Sequence, residues 1–162
     1  MSSIDSVVIA ADDPLAHDVA ALLATHLAFA RAVTAADDVH ALPTDELAGA
    51  DVAFFSARVD GAVVGIGALK HLDGDHVEIK SMHTAASARG RGVGRAMVQH
   101  LVDTAREHGC RRVSLETGSM TAFAPARALY AAAGFEECDS FGDYGASPER
   151  VCMTLVLSTS PT

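Results

Sequence analysis

The run Arg89-Gly90-Arg91-Gly92-Val93-Gly94-Arg95 sets three glycines at alternate positions between arginines. It lies between a strand-like segment, His76 to Thr84, and a helix-like segment with Val98, Leu101, Val102 and Ala105 on one side, ending at Gly109. Glycines without Cβ shielding let several backbone N–H groups converge on one anion. The helix that follows adds its unpaired N–H donors and the positive end of its dipole. The arginines supply counter-charge at the rim. A pyrophosphate seat is the physical reading. A dinucleotide fingerprint GxGxxG fails, because Arg95 stands where the third glycine belongs. A Walker loop fails too, since the chain has no Gly-Lys pair.

On the N-terminal side, Ser6 to Ala11 reads as a first strand, and Asp13-Pro14 as the cap and first residue of a helix. Val19, Leu22, Leu23, Leu27 and Ala30 recur at helical spacing after Leu15. Asp37 to Gly49 reads as a loop with a short helix over Thr44 to Ala48. Asp51 to Val59 and Ala62 to Lys70 form a hairpin about Asp60-Gly61, and Leu72-Asp73-Gly74-Asp75 makes the next turn. On the C-terminal side, Arg111 to Thr117 is strand-like, Ala124 to Ala133 helical and broken by Gly134-Phe135, and Arg150 to Leu157 a closing strand. This order predicts a mixed α/β sheet and excludes a doubly wound alternation. Residues 1–157 make one domain, and 158–162 a frayed tail.

The chain has 162 residues, with 12 Lys+Arg against 21 Asp+Glu, a net charge of −9. That acid excess repels polyanions and argues against nucleic acid or an anionic membrane as partner, while leaving room for one local cationic site. Cys110, Cys138 and Cys152 are too few and too scattered for a disulfide framework or a CxxC metal site. No HxH or HExxH spacing among the eight histidines supports a metal. Asp5, Asp12 and Asp13 interrupt any leader, and charged residues cross the most apolar segment, Leu15 to Ala36. The expectation is a soluble, cytoplasmic protein.

Three elements together resemble one family. Arg89-x-x-Gly92-x-Gly94 is similar to the coenzyme-A loop, Q/R-x-x-G-x-G/A, of the GNAT N-acetyltransferase superfamily. Met82-His83-Thr84 occupies the strand end that lies along the pantetheine in that family, and Ala126-x-x-Leu129-Tyr130-x-x-x-Gly134-Phe135 looks like its second signature. The resemblance spans Val77 to Phe135; the first fifty residues match only in outline. Glu78 to Met82 and Leu115 to Met120 resemble a small bacterial subgroup.

The resemblance implies a single-domain, mostly antiparallel mixed sheet, flanked by helices, whose central parallel strands, Val77–Thr84 and Arg111–Thr117, splay apart. Acetyl-CoA would enter that gap as co-substrate. Its pyrophosphate would rest on Arg89, Gly90, Arg91, Gly92, Val93, Gly94 and Arg95, and its pantetheine along Met82, His83 and Thr84, with His83 contributing backbone. A backbone N–H of the first strand would stabilise the oxyanion. Tyr130 would be the general acid for the thiolate and Glu78 the general base, with Glu116 as rival. The acceptor would be a small-molecule or peptide amine, attacked directly, without metal; dimers are common in the family. At the position where the family often has Asn stands Phe123, so packing, or Ser119 or Thr121, must replace that hydrogen bond. His40 and the loop from Asp139 to Glu149 are candidates to border the acceptor pocket. Two alternatives stay open: a catalytically silent CoA-binding module on the same fold, and a longer acyl donor.

Overall fold

A computed structural model describes residues 6–33, 47–119, 121–139 and 150–157. The elements are β1 (Val8–Ala11), α1 (His17–Val33), β2 (Val52–Val59), β3 (Ala62–Asp73), β4 (His76–Thr84), α2 (Val93–Glu107), β5 (Arg112–Gly118), α3 (Ala124–Ala132), β6 (Glu136–Cys138) and β7 (Arg150–Val156). Short 3₁₀ turns cover Ala86–Ala88 and Thr121–Phe123. The seven strands form one sheet in the order β1-β2-β3-β4-β5-β7-β6. Every neighbouring pair is antiparallel except β4 and β5. The sheet class and the central parallel pair are as the sequence implied.

Each face of the sheet is covered because one helix stripe is apolar. Val93, Met97, Val98, Leu101, Val102 and Ala105 form the buried side of α2. They pack against Val77 and Ile79 of β4 and Val113 and Leu115 of β5. A fully buried side chain such as Leu101 contributes about 1.5–3 kcal/mol through area removed from water. On the opposite face Val19 and Leu23 of α1 pack with Leu47 on Phe54, Ile66 and Ala68. Arg58 ties the start of α1 to the sheet, donating to Asp12 at 2.9 Å and to Asp18 at 2.8 Å, while the Ser56 hydroxyl donates to Asp12. These contacts fix how α1 lies across β2 to β4.

Several boundaries differ from expectation for local reasons. Asp13 Oδ1 accepts from Leu15 N–H at 2.9 Å, so Asp13-Pro14 closes a separate turn and the helix begins at His17. β3 runs on to Asp73, because Asp73 still pairs with His76 and the turn tightens onto Gly74-Asp75. β6 went unread: three residues, Glu-Glu-Cys, carry no alternation, and only pairing with β7 makes them a strand. The short helix expected over Thr44 to Ala48 falls largely outside the described residues, as do His40, most of the Asp139 to Glu149 loop and the tail. Among the described residues no helix is long and apolar enough to cross a membrane.

Two irregularities open the sheet at its centre. β4 and β5 pair from His76↔Arg112 only to Ile79↔Leu115. Beyond that, β5 stays with β7 as far as Gly118↔Arg150, while β4 stays with β3 as far as Thr84↔Gly65. Lys80 to Thr84 and Glu116 to Gly118 therefore diverge around a wedge. Register on the β3 side shifts from Ala68↔Lys80 to Ile66↔His83, so β4 carries one extra residue there, and Ser81 takes φ of 56°. A bulge of this kind bends its strand and reverses side-chain alternation. Lys80 and His83 consequently share the α1 face, while Met82 turns towards Gly67 and Met97 on the α2 face.

Candidate active site

The wedge is the floor of a cavity of about 620 Å³. The predicted phosphate loop forms one end. Gly92 is the residue before α2, with φ of 89°, a left-handed conformation that suits glycine, and a Cβ there would meet open space. The first intrahelical bond runs from Ala96 N–H to the Gly92 carbonyl at 3.0 Å. The N–H groups of Val93, Gly94 and Arg95 thus precede the ladder, and Gly92 has no side chain to cap them. Gly94 lies so close beneath α3 that a Cβ would approach Leu129 to 3.1 Å. Arg89 and Arg95 are exposed at the rim, and Arg89 Nε donates to the Thr84 carbonyl at 3.3 Å. Gly90, Gly92, Val93 and Gly94 line the cavity; Arg91 does not and projects into solvent.

At the middle of the cavity lie Met82, His83 and Thr84 along β4, with Phe123 and Tyr130 across from them. Tyr130 is buried, and loss of solvation pushes its phenol far above its usual value, so it stays protonated. Its position comes from the end of α3. Gly134, at φ 101°, lets its own N–H reach the Ala131 carbonyl and the Phe135 N–H reach Tyr130, both near 3.0–3.1 Å. That closure packs the Phe135 ring edge-on against Tyr130 with centroids 5.9 Å apart. The Gly-Phe of the second signature is thus a helix stop that seats the tyrosine.

Phe123 packs over the end of β5. Its ring lies over Gly118, where a Cβ would come within 2.2 Å of Cδ2. Ser119 and Thr121, the sequence candidates for a side-chain hydrogen bond here, are exposed and do not line the cavity.

Glu78 lines the cavity and is almost wholly buried, with Oε2 3.3 Å from Lys80 Nζ. Glu116 also borders it and stands 3.6 Å from Arg150. Burying a charge costs several kcal/mol before pairing, and the contact between Glu78 and Lys80 offsets that cost.

Sequence reading missed the contribution of α1. His26, Phe29 and Ala30 line the cavity. His83, expected to offer only backbone, presents its ring: His26 Nδ1 and His83 Nδ1 are 3.2 Å apart. Burial and the nearby His83 and Lys80 lower His26 to about 4; burial and Arg89 lower His83. No helical motif marks His26. The one available signal was its place on the apolar stripe of α1, next to Leu22 and Leu23.

Known proteins of similar sequence and fold share one family. The model of the acetyltransferase (GNAT) family matches residues 21–135. An uncharacterized N-acetyltransferase of Bacillus subtilis (strain 168), YsnE, is 42% identical over 146 residues, covering 90% of this chain and 97% of its own. An IAA acetyltransferase of Azospirillum brasilense is 35% identical over 153 residues, covering 94% and 99%. In fold alone, a Bacillus subtilis acetyltransferase solved in complex with CoA superposes with a TM-score of 0.71 at 19% identity, over 94% of this chain and 100% of that one. By the extent of the family match and the identity to these relatives, the chain belongs to the GNAT acetyltransferase family.

Proposed function

We propose that this chain transfers the acetyl group of acetyl-CoA to a primary amine by direct attack within a ternary complex. The observation that carries this reading is the continuity of one cavity. It joins N–H groups ahead of the α2 ladder to the two strands where their ladder ends and they diverge, and then to Tyr130. The chain's residues fit the co-substrate at each point. The Val93 to Arg95 N–H groups, with Arg89 and Arg95, suit a diphosphate. Beyond its last pair with β5, the β4 edge from Lys80 to Thr84 can bond the amides of an extended pantetheine like an added strand. The bulge at Ser81 takes main-chain groups out of the β3 ladder, and a N–H there serves as the oxyanion donor.

Tyr130 donates its phenolic proton to the departing thiolate. Glu78 and Glu116 stand at the cavity wall in ion pairs with Lys80 and Arg150. Sequence implied Glu78 as base. Its carboxylate is committed to the Lys80 ammonium, and we assign it to holding the acceptor end in shape.

The test is acetyl-CoA-dependent thiol release across a panel of primary amines, with product mass as a second readout. Turnover on at least one amine, with an acetylated product, is expected. CoA binding without turnover on any amine would make the chain a silent module. Faster release from propionyl- or succinyl-CoA than from acetyl-CoA would reassign the donor.

A further inference from the structure

α1 delivers two rings to the acceptor side of the cavity. His26 and Phe29, three residues apart and so on one helix face, both line it. They belong to a chain of edge-on rings: His26 to His83 at 5.2 Å, Phe29 to His83 at 6.3 Å, and Phe29 to Phe123 at 5.4 Å. The chain runs from the open end of β4 to the turn after β5, bridging the wedge where the acyl group must lie. These contacts hold the two imidazoles in fixed planes.

With Nδ1 facing Nδ1 at 3.2 Å, one proton lies between the rings, and each ring's other nitrogen defines its role. His83 Nε2 is buried and has no partner among the described residues. His26 is half-buried and borders the cavity, so its Nε2 is the outlet of the pair.

We propose that His26 is the base of the reaction: its Nε2 takes the proton that the acceptor nitrogen loses, while His83 Nδ1 accepts the hydrogen bond from His26 Nδ1–H. This rests on the acetyl-transfer reading above. The C–N bond forms and the C–S bond breaks. The nitrogen's proton goes to His26 and the thiolate takes its proton from Tyr130, both groups then re-equilibrating with solvent. His83 is a positioning residue, since it acts through His26 by fixing its tautomer. The charged groups facing the pair are Lys80 from β4, itself paired with Glu78, and Arg89 from the loop. Both cations oppose a lasting imidazolium, so the proton is held briefly and passed on.

The experiment uses the panel amine with the fastest turnover. His26→Gln is expected to lower kcat about 100-fold, within the range for loss of a general base, with acetyl-CoA KM changed less than twofold. Added imidazole should restore at least a tenth of wild-type rate to His26→Ala and leave wild type unchanged; a structural role would show no such rescue. In the wild-type protein, ¹⁵N ring spectra should show His26 with its proton on Nδ1, and His83→Phe should abolish that signature and slow kcat about tenfold. Turnover by His26→Gln within threefold of wild type, no imidazole rescue, or His26 protonated only on Nε2 would each overturn the proposal while acetyl transfer stands. A wild-type chain that acetylates no amine would overturn both.

Discussion

Gly92 offers the sharpest separation of charge from shape at the phosphate seat. Replacing it by Gln or Glu places an L-residue at φ 89°, with the new side chain entering open space next to the first N–H groups of α2. The backbone penalty is shared by both variants and is about 1–2 kcal/mol, a fall in unfolding midpoint of roughly 2–8 °C. Only Glu adds a charge. At about 6 Å from each phosphoryl group, and at an effective dielectric near 40, each repulsion costs about 1.4 kcal/mol, or roughly 3 kcal/mol for two. That is about a 100-fold ratio in CoA affinity between Gly92→Glu and Gly92→Gln. Calorimetric titration with CoA at low salt measures it directly. The ratio should shrink as ionic strength rises, because the groups are exposed. Equal melting curves with Kd values within threefold of one another would refute a diphosphate beside residue 92.

Further predictions concern the acid, the packing over β5 and acid stability. Tyr130→Phe should lower kcat 10- to 100-fold with little change in acetyl-CoA KM. The buried phenol stays protonated, so wild type should show no alkaline fall in rate from this group. Gly118→Ala should cost about 1–3 kcal/mol by overpacking against Phe123, and adding Phe123→Ala should recover most of that loss in a double-mutant cycle of thermal denaturation. His26 is lowered from 6.5 to about 4 on folding, so between these values the unfolded chain binds the extra proton and stability falls as pH falls. The loss amounts to roughly 3 kcal/mol across that window, and His26→Gln should flatten the decline in unfolding midpoint from pH 6.5 to 4. An unchanged slope would show that His26 titrates alike in the folded and unfolded chain.

What was legible in the sequence is what main-chain geometry demands of particular residues. Gly92 needs a left-handed conformation and Gly134 stops a helix against Tyr130, so both signatures declare themselves in one chain. The apolar stripe of α2 and the Asp60-Gly61 hairpin are legible for the same reason. The bulge at Ser81 carries no glycine to announce it, yet it turns His83 onto the face of Lys80, where its ring meets His26. His26 lies 57 positions from the imidazole it meets, and nothing in a 17-residue apolar helix marks one histidine as facing a cavity. Glu78 reads locally as an outward strand residue; only the packing of α1 over that face buries it against Lys80. Tertiary juxtaposition, not local pattern, built the acceptor end.

On the reading above, main-chain donors from residues 90 to 95 bind the diphosphate of CoA while its pantetheine fills the wedge between β4 and β5. Diffraction from crystals soaked with CoA tests this in one map. Phosphoryl oxygens are expected within about 3.2 Å of the N–H groups at the start of α2, and pantetheine amides bonded along Lys80 to Thr84. Nucleotide density elsewhere on the protein, or those N–H groups bonded to protein oxygens with the ligand bound, would contradict it.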